Sequence, residues 1–75
     1  MSRRPKSEEV DVINKVEQFR EAAGLSRQQL ADAVGVHYQT IGYIERGEYS
    51  PSLMLALKFA KVLGASVEQI FQLGE

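Results

Sequence analysis

Between Leu25 and Gly47 the chain reads as two short helices joined by a glycine turn, a unit that few folds accommodate. The first helix is Ser26-Arg27-Gln28-Gln29-Leu30-Ala31-Asp32-Ala33-Val34. Ser26 is its N-cap, and Gln29 at the third helical position completes a capping box, in which each side chain satisfies a backbone group that the helix end leaves unpaired. Gly35 breaks the helix and Val36 supplies a buried peg. The second helix follows from His37 to Arg46, and Gly47 ends it, as glycine after a helix tends to do. Residues 26–46 are therefore expected to form a helix-turn-helix.

The outward face of the second helix carries the functional signal. At about 100° per residue, with Ile41 pointing inward, Ile44 and Glu45 stay on the inner side while Gln39, Tyr43 and Arg46 fall on the outer one. Exposed helix faces are ordinarily filled with Glu, Lys and Ala, which form helices well and dissolve well. Amide, phenol and guanidinium suit a different task. Gln pairs bidentately with adenine in the major groove, Arg serves guanine edges or phosphate, and Tyr donates to phosphate or packs on a thymine methyl. Gly42, a poor helix residue, is expected to leave room for close approach to a groove wall. For any one of these residues an ordinary polar surface is the better explanation. For the set, on the second helix of such a motif, the reading is recognition of double-stranded DNA.

Size and composition allow one small core and no second large unit: the chain has 75 residues, and a domain this short is marginally stable. It has no cysteine, so neither a disulfide frame nor a thiolate metal site is available. Nothing approaches ~18 continuous apolar residues, and the leading segment lacks the apolar heart of a signal peptide, so no membrane role is expected and the chain reads as cytoplasmic. Charge argues against a strong polyanion binder, since 9 basic residues face 10 acidic ones for a net charge of −1. Distribution matters more than the sum. Arg3, Arg4 and Lys6 gather in the leading tail and Arg27 and Arg46 at the motif, while Glu8, Glu9, Glu17, Glu21 and Glu68 lie elsewhere. The expectation is modest affinity with a shallow salt dependence.

Residues 1–9 are polar and without periodicity, a mobile basic arm, and residues 10–75 form the single domain. Val10 to Ile13 alternates weakly like a strand and can pair with Phe71-Gln72-Leu73. Asn14 is expected to cap a helix with Glu17 three residues on, with Val16, Phe19 and Ala23 on its inner face. After the motif, Ser50 or Ser52 caps a long apolar helix through Leu63, whose core stripe reads as Leu53, Ala56, Leu57, Ala60 and Leu63. Gly64 ends it, and Ser66-Val67-Glu68-Gln69 is a further capping box opening a short helix with Ile70.

Arg20 shares the inner face of Val16 and Phe19, and Glu45 lies inward beside Ile41 and Ile44. Neither charge is tolerated there alone, so a mutual buried ion pair is the economical arrangement. Its role is structural, and removing one partner is expected to cost about 3–5 kcal/mol.

Gly24-Leu25-Ser26, Leu30-Ala31, Val34-Gly35-Val36, Gln39-Thr40-Ile41, Glu45-Arg46-Gly47, Pro51-Ser52-Leu53 and Leu63-Gly64 resemble the phage repressor and Cro type of DNA-binding domain, the xenobiotic-response-element family of regulators. Within it, the chain is similar to small stand-alone regulators of the cytolysin-operon repressor type. The resemblance implies an all-α, five-helix, lambda-repressor-like fold, extended by a short two-stranded ribbon joining the chain ends, and it carries an arginine–glutamate pair at the positions of Arg20 and Glu45. It implies base contacts from Tyr38, Gln39, Tyr43 and Arg27, and backbone contacts from Ser26, Gln28, Thr40 and Arg46. His37 stands where the family usually has a capping Ser or Thr, so either the cap is weaker or the histidine serves instead as a further phosphate contact. The resemblance also implies a homodimer whose seam includes Ser50 in the Tyr49–Pro51 loop, Val67 and Ile70. Such a dimer would bind an inverted repeat with half-sites about 34 Å apart as a repressor.

Catalysis finds little support: His37 is the only histidine, without a thiol or triad partner, and no phosphate loop or dinucleotide fingerprint occurs. Neither a cofactor nor a small-molecule ligand is evident. The competing reading is an antitoxin-like or adaptor protein, which the apolar excess at Met54, Leu55 and Val62 would suit. Antitoxins carry a binding extension beyond such a core, whereas only four residues follow Phe71, which favours a self-sufficient repressor.

Overall fold

The computed structural model describes residues 12–74. The basic arm at residues 1–9 and the first two residues of the expected strand lie outside that range. Five helices and two short strands follow in the order β1 (Val12–Asn14), α1 (Val16–Ala22), α2 (Arg27–Val34), α3 (Tyr38–Glu45), α4 (Leu53–Leu63), α5 (Val67–Ile70) and β2 (Phe71–Leu73). The fold is thus mostly helical with a two-stranded ribbon. The strands pair antiparallel, Val12 opposite Leu73, Ile13 opposite Gln72 and Asn14 opposite Phe71.

Local sequence signals account for the helix ends. Ser26 and Ser66 each accept the backbone N–H three residues on, and Gln29 and Gln69 return the bond to the cap, so both capping boxes are formed. Ser52, not Ser50, caps α4 by accepting from the Leu55 N–H at 3.1 Å. Gly35 and Gly64 close α2 and α4 with φ of 80° and 70°, the left-handed region where any Cβ is strained.

Asn14 plays a different part from the one expected. It ends β1, α1 starts at Val16 behind Lys15, and the pairing with Glu17 is not used. Its Oδ1 still accepts from the Val16 N–H at 3.2 Å, while its Nδ2 donates to the Ile44 carbonyl at 2.8 Å. One amide thereby fastens the ribbon to the last turn of α3. The Lys15 N–H donates to the Ile70 carbonyl at 2.7 Å, joining the start of α1 to the end of α5.

The core is built from Val16, Leu30, Ala31, Val34, Ile41, Ile44, Leu55, Phe59 and Ile70, with Phe19, Val36 and Phe71 packed against it. Three expectations are corrected here. Ala23 is the exposed C-cap of α1, and the inner positions are Val16 and Arg20 with Phe19 half-buried. In α4 the inward residues are Leu55, Ala56 and Phe59, whereas Leu53 and Leu57 of the expected stripe are 72% and 53% exposed. The helix is rotated by a fraction of a turn, because the bulkier Phe59 fills the centre of the core and carries Leu55 inward with it at i−4. Ile70, expected at a dimer seam, is fully buried in the chain's own core. Its side chain has no surface left for a partner.

No helix among the described residues is long and apolar enough to cross a membrane.

Candidate nucleic-acid interface

The second motif helix is held rigidly from behind. Ile41, Gly42 and Ile44 are buried on its inner side, and Asn14 bonds the carbonyl of Ile44. At its front end His37 acts as N-cap: the Nδ1 atom accepts from the Gln39 N–H at 3.1 Å, doing with an imidazole what Ser or Thr does with a hydroxyl. This fixes the acceptor assignment at Nδ1 and leaves Nε2 on the far side of the ring. The imidazole also stacks on Tyr38, with ring centroids 4.9 Å apart. A helix capped and packed in this way presents its outer side chains from a fixed frame.

Those outer side chains are Tyr38, Gln39, Tyr43 and Arg46, all exposed. Together with Gly42 and with Arg27 from the first turn of α2 they line one concavity of about 270 Å³. Amide, phenol and guanidinium groups from two helices thus converge on a single surface. Thr40, half-buried, borders a second hollow with Val36, Tyr43 and Tyr49. Ser26 and Gln28 are exposed on α2, each already engaged: the Ser26 hydroxyl in its cap, and Gln28 Nε2 in a bond to Asp32 Oδ1 at 2.9 Å. Ser50 is exposed in the loop before α4, beside Val12, Tyr49 and Phe71, and Val67 is half-buried.

Gly42 does not leave an open approach. The space above it is taken by Arg46, which folds back along the helix so that its Cζ lies 5.2 Å from the centre of the Tyr43 ring. The same guanidinium donates from Nη2 to Glu48 Oε1 at 3.2 Å. Both partners of that pair are more than half exposed, 51% and 55%, so water screens the contact and its worth is small.

Behind the surface, Arg20 and Glu45 meet. Arg20 Nε donates to Glu45 Oε2 at 2.7 Å, and Arg20 Nη1 donates to the Leu25 carbonyl at 2.9 Å. The Glu45 side chain is 2% exposed and that of Arg20 10%. The other carboxylate oxygen, Oε1, accepts from Arg27 Nε at 2.8 Å. Sequence reasoning paired Arg20 with Glu45 and missed the third member. The available signal was the carboxylate itself, which has two oxygens and more acceptor sites than one buried guanidinium fills.

The hydrogen bond to Glu45, and then its charge, raise Arg27 above the ordinary arginine value. A cation whose folded value is raised contributes stability that disappears only as pH climbs through that value. This contact is therefore intact across the whole neutral range.

A family model described as helix-turn-helix, HTH_3, matches residues 16–70. An uncharacterized HTH-type transcriptional regulator of Bacillus subtilis, YgzD, is 45% identical over 62 residues, covering 83% of this chain and 94% of that protein. One from Methanocaldococcus jannaschii is 47% identical over 58 residues, covering 77% of this chain and 88% of the relative. Among solved structures, the restriction-modification controller protein C.AhdI of Aeromonas hydrophila superposes with a TM-score of 0.68 at 33% identity, covering 72% of this chain and 82% of that one. With the family match spanning all five helices, the chain belongs to the helix-turn-helix (HTH_3) family of transcriptional regulators.

Proposed function

We propose that the chain is a sequence-specific DNA-binding repressor that acts as a homodimer on an inverted repeat, laying α3 of each copy in successive major grooves about 34 Å apart. The observation that carries this reading is the division of α3. Its inner side is locked by Ile41, Ile44 and Glu45, and its outer side offers Tyr38, Gln39, Tyr43 and Arg46 on one concave surface shared with Arg27. In this reading Tyr38, Gln39, Tyr43 and Arg27 read base edges. Ser26, Gln28, His37, Thr40 and Arg46 hold the phosphate backbone, and Arg20 with Glu45 remains behind the surface as a structural pair. The seam between copies runs through Ser50 and Val67. Transcriptional regulation by the relatives, as their names describe it, supports the assignment.

Selection of bound duplexes from a random library at near-physiological salt tests the proposal. Enrichment of an inverted repeat is the expected result. Failure of the folded chain to enrich any sequence would transfer the assignment to a protein-interaction role. That second reading was expected to use Met54, Leu55 and Val62; Leu55 is buried and Val62 half-buried, and the apolar surface α4 does offer is Met54, 66% exposed, with Leu53 and Leu57 at 72% and 53%.

A further inference from the structure

The buried carboxylate of Glu45 makes a second bond, to a side chain that has no need of it. Arg20 needs the carboxylate: a guanidinium this deeply buried must be paired. Arg27 does not, because its side chain is 46% exposed and water could solvate it. Yet Glu45 Oε1 accepts from Arg27 Nε at 2.8 Å, a short charge-assisted bond from a side chain that is itself fixed by Arg20 on its other oxygen.

A guanidinium is a rigid planar fork. Gripped at Nε, it keeps its end edge, one N–H from each of Nη1 and Nη2, available to donate. Among the described residues neither of these terminal nitrogens has a hydrogen-bond partner. Arg27 borders the concavity lined by Gln39 and Tyr43. Two parallel N–H donors match the adjacent O6 and N7 acceptors of guanine in the major groove, while Gln39 beside them has the donor and acceptor that adenine demands. An unanchored arginine would lose rotamer freedom on binding, and one anchored beforehand loses less. Glu21 Oε2 also lies 3.9 Å from Arg20 Nη2, so the cluster is close to neutral and what Arg27 offers DNA is a pair of aimed donors rather than a net charge.

We propose that Glu45 is a positioning residue for base recognition: by holding Nε it presents Arg27 as a preset guanine reader, so that a residue touching no base controls one position of each half-site. This rests on the DNA-binding reading above and adds to it the base that Arg27 reads and the side chain that aims it.

The test is duplex selection with the wild-type chain and with Arg27→Lys and Glu45→Gln, each checked for folding by circular dichroism. Arg27→Lys keeps the charge and leaves the Arg20–Glu45 bond in place, but has no fork. It is expected to lose preference for one guanine per half-site on the order of tenfold, with the other positions unchanged and the fold retained. Glu45→Gln is expected to lose the same guanine preference. If that variant does not fold, the Arg27 Nε–H resonance of the wild-type protein decides the matter. Its persistence as a slowly exchanging signal in the complex with the selected duplex supports positioning by Glu45, and its loss on binding overturns it. An inverted repeat whose base pattern is unchanged by Arg27→Lys would overturn this inference alone. Absence of any enrichment with the wild-type chain would remove the DNA-binding reading along with it.

Discussion

Arg46 Nη1 lies 3.1 Å from the point where a residue other than glycine at position 42 would place its Cβ, and the three nearest atoms to that point all belong to Arg46. Gly42 thus serves as a seat for a cation on its own helix. Its backbone is ordinary right-handed helix, so alanine there would gain helix propensity of about 0.5–1 kcal/mol. The far end of Arg46 can yield the few tenths of an ångström that a methyl group needs. Gly42→Ala should therefore raise the melting temperature by several degrees while displacing Arg46 from Tyr43 and weakening DNA binding. Thermal unfolding paired with a binding titration checks both halves, and unchanged affinity would show that the seat has no bearing on recognition.

Among the described residues, Glu45 should be the least replaceable charge. Glu45→Ala leaves Arg20 buried without a counter-charge, a loss of about 3–5 kcal/mol, enough to unfold much of a domain this small. Arg20→Ala should cost nearer the bottom of that range, about 3 kcal/mol, because Glu45 retains Arg27. Urea midpoints of the two variants should fall in that order, and the reverse order would mean that Arg27 gives Glu45 no protection.

The imidazole cap makes its own prediction. His37→Ala removes the acceptor for the Gln39 N–H and should destabilise the domain by about 1 kcal/mol, whereas His37→Ser should restore it with a hydroxyl. If serine rescues stability but not DNA affinity, the ring has a task beyond capping. Denaturation and titration of the two variants side by side separate the roles.

Gln39 is exposed, and its side chain supports no part of the core. Gln39→Ala should leave the melting curve in place, lower specific affinity by about 1–3 kcal/mol and relax preference at one base pair, readable from a competition assay with single-base variants of the selected duplex.

The proposed seam can be examined through Val67, half-buried at the start of α5. Val67→Glu should shift sedimentation equilibrium toward monomer and weaken DNA binding through it. An unchanged association state would place the seam elsewhere, with Ser50 losing its assignment too.

What could be read from sequence followed the specificity of each signal. A hydroxyl three residues before a glutamine and a glycine at a helix end have few alternative uses, so both capping boxes and the stops at Gly35 and Gly64 were legible. The ribbon was legible only in part: Val10 to Ile13 alternates weakly, the pairing with Phe71-Gln72-Leu73 came from the family resemblance, and the register was supplied by the structure. In α4 apolar side chains surround most of the helix, so periodicity alone carries no phase, and the choice between Leu53 with Leu57 and Leu55 with Phe59 was made by packing. Ile70 was misplaced for a related reason: an apolar residue on a four-residue helix suits a seam and a core equally until its neighbours are known. The outer face of α3 was visible in its residue types, but its furnishing was not. Arg27 and Glu45 are 18 positions apart, and no local pattern joins them.

The pairing of Val12 with Leu73 sets the two ends of the described chain a strand's width from each other. Anything joined ahead of β1 or behind β2 therefore departs from one doorway, and the domain hangs from a single point like a bead on a loop. Cutting the backbone at the exposed loop around Glu48 and bridging the old ends with a few residues would give a permuted chain with the same core, in which a fusion partner could be moved from the ribbon to the loop before α4.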